Sequence, residues 1–154
     1  DGWRIAGCPV NGPALAADGP RVALAWFTLG ADARPRVRAA LPGSAPGARD
    51  SAWTLAEGEA VLGRVDCTFL ADGTLAVSWL EARGEAAAWR VARVDPDRGP
   101  LEEPPADVPV PTPGRAGGIA RSAAFGDGLL FACTLDAGRS GVGSRWQLLR
   151  LTPP

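Results

Sequence analysis

The stretch GRVDCTFLADGTLAVSWLE, from Gly63 to Glu81, contains an Asp-Gly pair between two runs of largely apolar residues. Similar stretches occur upstream, as GPALAADGPRVALAWFT from Gly12, and downstream, as RSAAFGDGLLFACTL from Arg121. Asp-Gly between apolar runs is typical of β-hairpins, because glycine adopts a positive φ without steric cost and aspartate binds nearby backbone groups. The sequence therefore predicts three hairpins of one kind.

The hairpins recur at a nearly constant spacing. Asp18, Asp72 and Asp127 mark the turns, so the spacing is 54 and then 55 residues. A period near fifty residues indicates a repeat architecture. A third strand is predicted after each hairpin, in the segments PRVRAAL from Pro35, WRVARV from Trp89 and WQLLRL from Trp146. A short fourth strand is predicted in the first two units, in AWTLAE near Trp53 and PADVPVP near Val108.

The second strand of each hairpin is the most apolar, as in RVALAWF, TLAVSWL and LLFACTL. Runs of this kind suit strands that are buried on both faces, whereas the third strands alternate and suit half-exposed strands. The segment EARGEAAAWRVARV could form a helix on propensity alone. Its match to the strand that begins at Trp146 favours a hairpin followed by a strand instead.

Three units of four antiparallel strands describe blades of a β-propeller, with boundaries near residues 8–58, 59–112 and 113–154. Propellers close with roughly four to eight blades, so three blades are expected to form half of a six-bladed ring and to leave two apolar faces exposed. The remaining blades or a second copy of the chain would cover those faces. A β-sandwich is the alternative fold, since regularly spaced short strands also suit it.

The composition narrows the chemistry that the chain can perform. Its 154 residues suffice for one domain, and a net charge of −1 gives no reason to expect a nucleic-acid partner. No apolar run approaches the roughly 18 residues of a membrane span. The sequence has no His, Tyr or Lys, and its three Cys lack metal-binding spacing, so neither a metal site nor a cofactor is predicted. Buried thiols are the favoured interpretation of the cysteines, with one disulfide as the alternative.

Three phrases carry a family resemblance: residues 2–28, residues 62–81 and residues 114–135, the last reading GRAGGIARSAAFGDGLLFACTL. They are similar to the C-terminal half of bacterial sialidase-like proteins with BNR (Asp-box) repeats. The resemblance implies a six-bladed propeller, an extracellular or periplasmic location and a glycan ligand. The chain begins with Asp and shows no signal peptide, so a segment of a longer protein is expected.

The chain also departs from that family's pattern. An Asp box reads approximately Ser-x-Asp-x-Gly-x-Thr-Trp, and here Ser44, Asp50 and Trp53 match in type but not in spacing. Sialidases use a Tyr–Glu nucleophile pair, and this chain contains no Tyr. Whether it is an enzyme therefore stays open; if so, an exo-alpha-sialidase-like glycoside hydrolase is expected, with catalytic residues in other blades.

Five residues are candidates for ligand binding at the central channel of such a propeller. Arg64 and Asp66 are two apart, so they are expected on one face of a strand, where they could bind a carboxylate. Arg115 and Arg121 flank a glycine-rich loop and suit an anionic ligand such as a sugar acid. Asn11 is the only Asn and precedes Gly12. Each has a structural alternative. Arg64 and Asp66 could form an ion pair between blades, Arg115 and Arg121 could be solvated surface side chains, and Asn11 could cap backbone groups.

Two functions are therefore expected from the sequence. The first is a fragment of a sialidase-like propeller that binds glycans of the sialoside type, or hydrolyses them together with missing blades. The second is a non-catalytic structural or protein-interaction propeller module, because a fold alone does not determine function.

Overall fold

A computed structural model describes residues 11–42, 51–110, 118–136 and 142–150, and the side chains of all of these except 134–136 and 142–146. All regular structure in this part of the chain is β-strand. The strands, in chain order, are β1 (Ala14–Asp18), β2 (Arg21–Thr28), β3 (Arg36–Leu41), β4 (Ser51–Glu57), β5 (Val61–Phe69), β6 (Leu75–Arg83), β7 (Ala86–Asp95), β8 (Gly99–Pro100), β9 (Ala106–Val110), β10 (Ala120–Phe125), β11 (Gly128–Asp136) and β12 (Val142–Arg150).

The strands form three antiparallel sheets that follow one another along the chain. The first sheet has the order β1-β2-β3-β4, and the third has the order β10-β11-β12. The second sheet has the order β5-β6-β7, after which both β8 and β9 pair with the outer edge of β7. The first and third sheets are thus meanders, whereas in the second sheet the last strand, β9, pairs with β7 and not with its sequence neighbour β8. The all-β prediction is confirmed, and so are the predicted strands.

Each predicted Asp-Gly or Gly-Asp-Gly segment lies in the turn between the first and second strands of its sheet. In the first sheet Asp18 pairs with Arg21 across Gly19 and Pro20, and Gly19 has a φ of 56°. In the second sheet the turn is longer, and Gly73 has a φ of 84°. These positive values explain why glycine recurs here, since side chains with a Cβ rarely adopt them.

Two hydrophobic clusters hold the sheets together, and the second sheet contributes to both. The first cluster joins Phe27 and Val37 of the first sheet to Val77 and Trp79 of the second. The second cluster joins Trp89 to Phe131 of the third sheet, with ring centroids 5.6 Å apart. The second sheet therefore lies between the other two, with one face packed against each.

The burial of the second strands confirms part of the prediction and corrects the rest. In β6 the first six residues are all buried, as a strand covered on both faces requires. In β2 and β11 only one face is fully buried: Val22 and Ala132, on the opposite faces, are exposed. The difference arises because the first and third sheets each have only one described neighbour.

A buried arginine fastens the long turn of the second sheet. Arg93 on β7 is almost inaccessible to solvent, and its guanidinium group pairs with the carboxylate of Asp72. Asp72 also accepts hydrogen bonds from the backbone N–H and the hydroxyl of Thr74, at 3.0 and 2.7 Å. Arg93 additionally lies 3.7 Å from a carboxylate oxygen of Glu103. The aspartate that marks the repeat thus anchors this turn to the sheet.

The segment that resembles an Asp box lies between β3 and β4. Its residues 44–50, including Ser44 and Asp50, lie outside the described residues. Trp53, on β4, is half-buried and packs against the first hydrophobic cluster. Its indole nitrogen is 2.7 Å from where a Cβ on Gly99 of β8 would stand, so the outer strands of the first two sheets meet closely here.

Candidate functional site

The first strands of the three sheets lie side by side. β5 contacts both β1 and β10, so the chain brings the leading strand of each sheet to one region. The predicted candidates Asn11, Arg64, Asp66 and Arg121 all lie on or next to these strands. Residues more than fifty positions apart in the sequence therefore meet there.

A β-bulge in β5 shapes this region. The register between β5 and β6 shifts on both sides of Gly63, and both Gly63 and Arg64 have a positive φ, of 88° and 57°. A bulge leaves backbone groups without ladder partners, and these groups need other hydrogen bonds. The strand is therefore open to partners at this point.

Asn11 supplies the missing hydrogen bonds. Its Oδ1 accepts from the backbone N–H of Arg64 at 2.9 Å, and its Nδ2 donates to the carbonyl of Leu62 at 3.4 Å. A Cβ on Gly63 would stand 2.6 Å from Asn11 Oδ1, so only glycine leaves room for the amide. The structural interpretation of Asn11, a cap for backbone groups, is confirmed.

The side chain of Arg64 reaches the chain segment before β10. Its Nη1 donates to the carbonyl oxygen of Gly118, and the side chain is partly buried. A non-glycine residue in the left-handed region costs conformational energy, and such strain is concentrated at functional sites. Arg64 is thus held in an uncommon backbone conformation that directs its guanidinium group toward the third sheet.

Asp66 joins the second and third sheets from the same strand. Its Oδ2 accepts hydrogen bonds from the backbone N–H of Ser122 at 2.6 Å and from the Ser122 hydroxyl at 3.0 Å. Its Oδ1 lies 3.5 Å from Nη1 of Arg121. Asp66 is 8% exposed, whereas the Arg121 side chain is 74% exposed, so the carboxylate is enclosed and its arginine partner is open to solvent.

The geometry corrects the reason given for placing Arg64 and Asp66 on one face. Simple strand alternation does not relate them, because the bulge places an extra residue between Gly63 and Asp66. The two side chains nevertheless reach the same neighbour, since one contacts Gly118 and the other contacts Ser122. They act as separate contacts to the third sheet.

Four of the five predicted residues are described, and they fall into two adjoining pairs. Asn11 and Arg64 form one pair, and Asp66 and Arg121 form the other. Arg115 lies outside the described residues. Sequence reasoning did not find Ser122 or the carbonyl of Gly118, because no spacing rule marks a serine or a backbone group as the partner of a distant strand.

The region carries two positive charges and one negative charge among these side chains. An arginine fork binds carboxylates with two parallel hydrogen bonds. Arg121 is exposed enough to reach a ligand while Asp66 stays enclosed behind it. The chemistry that this arrangement supports is binding of an anion, with Ser122 and Asn11 as polar neighbours.

Cys67, next to Asp66, does not add a nucleophile. Burial, followed by the charge of Asp66, raises the pKa of its thiol to about 12. The thiol is therefore protonated at neutral pH, and the thiolate is the reactive form of cysteine. Cys67 and Cys133 are both buried, as the favoured interpretation predicted, while Cys8 lies outside the described residues.

An open pocket of about 290 Å³ lies at the opposite ends of the same three strands. Its walls come from all three hairpins, including Ala17 and Asp18 of the first, Leu70 and Ala71 of the second and Gly126 of the third. Arg21, which follows the first turn, donates a hydrogen bond from Nη1 to the backbone carbonyl of Gly73 in the second turn, at 3.1 Å. The leading strands thus have a polar end near Arg64 and a small-residue end at the turns.

Comparison with known proteins returns no match: no family model, no curated protein and no solved structure is significantly similar to this chain. Among the described residues, no group of three His, Cys, Asp or Glu side chains could hold a metal ion. No helix that could cross a membrane occurs in the described part of the chain.

Proposed function

We propose that the chain forms three blades of a sialidase-like β-propeller and binds acidic glycans of the sialoside type beside Arg64 and Arg121. The observation that carries the proposal is that the leading strands of three successive sheets lie together and gather polar residues from all three. Propellers place the leading strands of their blades around a central channel in this way.

The charge of the region supports an acidic sugar as the ligand. Sialic acids carry a carboxylate on a polyhydroxylated ring, and arginine is the residue best suited to hold a carboxylate. Arg121 is open to solvent, and a hydroxyl group of a sugar could donate a hydrogen bond to the hydroxyl of Ser122. A periplasmic or extracellular location accompanies this ligand class and is proposed on the family resemblance alone.

Binding without catalysis is the activity that this chain best supports. Glycoside hydrolysis uses two carboxyl groups roughly 5–10 Å apart, or a tyrosine in place of one of them. The sequence contains no Tyr, and Asp66 is already bonded to Ser122 and Arg121. Hydrolysis would require residues from further blades.

A second candidate function is a structural or protein-interaction module. It is favoured by the inward use of the polar groups: Asn11, Arg64 and Asp66 all bond to other parts of the chain. Under this alternative the four residues only join the sheets, and no sugar binds.

The test is binding of sialyllactose to the full chain by calorimetry or ligand-detected NMR, with lactose as the matched sugar that lacks the carboxylate. We expect sialyllactose to bind at millimolar concentration or better and lactose to bind at least tenfold more weakly, because a hydrogen bond to a charged group contributes about 1.5–3 kcal/mol and a tenfold change corresponds to about 1.4 kcal/mol. Replacement of Arg64 by glycine, which tolerates the positive φ, should weaken sialyllactose binding by a similar factor.

The control variant is Arg98→Gly, which removes an exposed arginine from the turn between β7 and β8. It should leave sialyllactose binding unchanged. Equal affinity for the two sugars, or unchanged binding by the Arg64→Gly variant, would contradict the proposed ligand site. Absence of binding to either sugar in a folded sample would favour the protein-interaction alternative.

A further inference from the structure

The two sheet-to-sheet contacts in this protein are made in the same direction. We define the N-side face of a sheet as the one that contains Leu75, Val77 and Trp79 in the second sheet, and the C-side face as the one that contains Ala76 and Leu80. The N-side residues pack against the first sheet, and the C-side residues pack against the third. Each sheet thus contacts its predecessor and its successor through different faces.

In the first and third sheets the faces take the same names by chain order. The C-side face lies toward the sheet that follows, and the N-side face lies toward the sheet that precedes. The C-side face of the first sheet holds Ala23, Ala25 and Phe27, which lie in the first cluster with Trp79. The N-side face of the third sheet holds Leu129, Phe131 and Cys133, which lie in the second cluster with Trp89. Both contacts therefore join a C-side face to the N-side face of the next sheet.

One face of the first sheet and one face of the third sheet are not covered by another described sheet, and we call them the leftover faces. The N-side face of the first sheet presents Leu15, which is 68% exposed, and Val22, which is 43% exposed. The C-side face of the third sheet presents Phe125, which is 62% exposed, and Ala132, and it also carries Arg121, which pairs with Ala132. No described strand of another sheet packs against either face.

The repeat shows what the N-side face of the first sheet is built to contact. Trp26 and Trp79 occupy the same position in RVALAWF and TLAVSWL, and each pairs across the sheet with an arginine, Arg38 or Arg90. Trp79 is buried because the first sheet covers it, whereas Trp26 is only half-buried. The first sheet thus carries the residues that the second sheet uses to receive a preceding sheet.

We propose that a second copy of this chain covers both leftover faces. The N-side face of the first sheet in one copy would pack on the C-side face of the third sheet in the other, and the reverse contact would form at the same time. Each contact joins two different surfaces, and two such contacts related by a twofold axis close a ring. The closed ring has six sheets, and its closure rests on the propeller geometry of the proposed function.

A second copy fits better than an unrelated partner for two reasons. It presents both required faces on one molecule, in the relation that the internal contacts already use. Its net charge of −1 also opposes association only weakly. An unrelated partner would have to imitate a C-side face on one surface and an N-side face on another.

The test is the mass of the purified chain by light scattering coupled to gel filtration, over a range of micromolar concentrations. We expect a single species of twice the 15.8 kDa chain mass. Leu15→Glu and Phe125→Arg place a charge on one leftover face each, at positions exposed within a single copy. Each variant should be monomeric and should keep the β-sheet circular dichroism spectrum of the wild type.

Mixing the two variants distinguishes contacts between unlike faces from contacts between like faces. The mixture should regain a dimer, because one contact is intact and the other brings glutamate and arginine to facing surfaces. The control is Ala71→Glu, which adds a charge to an exposed turn of the second sheet and should stay dimeric. A folded monomeric wild type, an open polymer, or a dimer that survives either single variant would overturn the proposal. Sialyllactose binding is a separate measurement, so failure of the ring can be distinguished from failure of the sugar site.

Discussion

Replacement of Trp79 by alanine is expected to lower the free energy of unfolding by about 3–5 kcal/mol. The side chain is 1% exposed and lies in the cluster that joins the first two sheets. Its indole N–H also donates to a carboxylate oxygen of Glu81 at 3.0 Å, and the variant loses this bond as well. Urea unfolding followed by tryptophan fluorescence and circular dichroism measures the loss.

Trp26→Ala is the matched variant, because Trp26 occupies the equivalent position in the first sheet. In the Phe125→Arg background, where we expect no second copy, this change should cost clearly less than Trp79→Ala, since Trp26 is only half-buried within one chain. Equal costs in that background would show that the chain itself covers the N-side face of the first sheet. Such a result would count against the proposed ring.

Replacement of Asp72 by alanine is expected to lower the free energy of unfolding by about 2–3 kcal/mol. Breaking a fully buried ion pair lowers it by roughly 3–5 kcal/mol, and the effect is smaller here because the carboxylate of Asp72 is partly open to solvent. The change removes the closest carboxylate of the buried Arg93 and both hydrogen bonds from Thr74. Asp127→Ala is the control from the third turn. Asp127 faces Arg150 with both side chains largely exposed, so its loss should cost about 0–1 kcal/mol.

The cost of Asp72→Ala should depend on pH in a defined direction. Burial alone would raise the pKa of Asp72, but hydrogen bonds from Thr74 and the charge of Arg93 outweigh it, and the pKa lies below its ordinary value of 3.8. A lowered pKa stabilises the fold above the unfolded value, and this contribution is lost as pH falls through the folded value. The difference in the free energy of unfolding between the wild type and Asp72→Ala should be largest near neutral pH and should shrink below pH 3.8. A difference that grew on acidification would contradict the proposed role of the ion pair.

Most of the strand pattern was predictable from local signals. The three Asp-Gly turns fixed the positions of the hairpins, and the match between WRVARV and WQLLRL correctly favoured a strand over a helix for the segment after Gly84. These predictions succeeded because a turn residue and an alternating pattern act within a few positions of the chain. The side of a strand that is covered depends on the neighbouring sheets, so the exposure of Val22 was not predictable.

The sequence predicted four residues that meet at the leading strands, but it did not predict their contacts. The sequence predicts Asn11, Arg64, Asp66 and Arg121 as candidates, and the structure brings them to one region. The positive φ of Arg64 was not foreseen, because a bulge depends on the pairing of two strands and carries no fixed sequence signal except the neighbouring glycine. The burial of Arg93 was missed for a similar reason, since its partner Asp72 lies 21 residues away.

The stacking of the sheets has a consequence for how the protein opens. Proteins whose units contact only their neighbours unfold from their ends, and their stability is approximately a sum of unit and interface contributions. The second sheet alone has two described interfaces, so its hydrogen bonds can break only after one of them has separated. In the Phe125→Arg variant, where we expect no second copy to cover the terminal sheets, backbone amides of β6 should therefore exchange with deuterium more slowly than those of β2 and β11, and the terminal sheets should behave as separate units of lower local stability. Uniform exchange across all three strands would instead indicate a single cooperative unit.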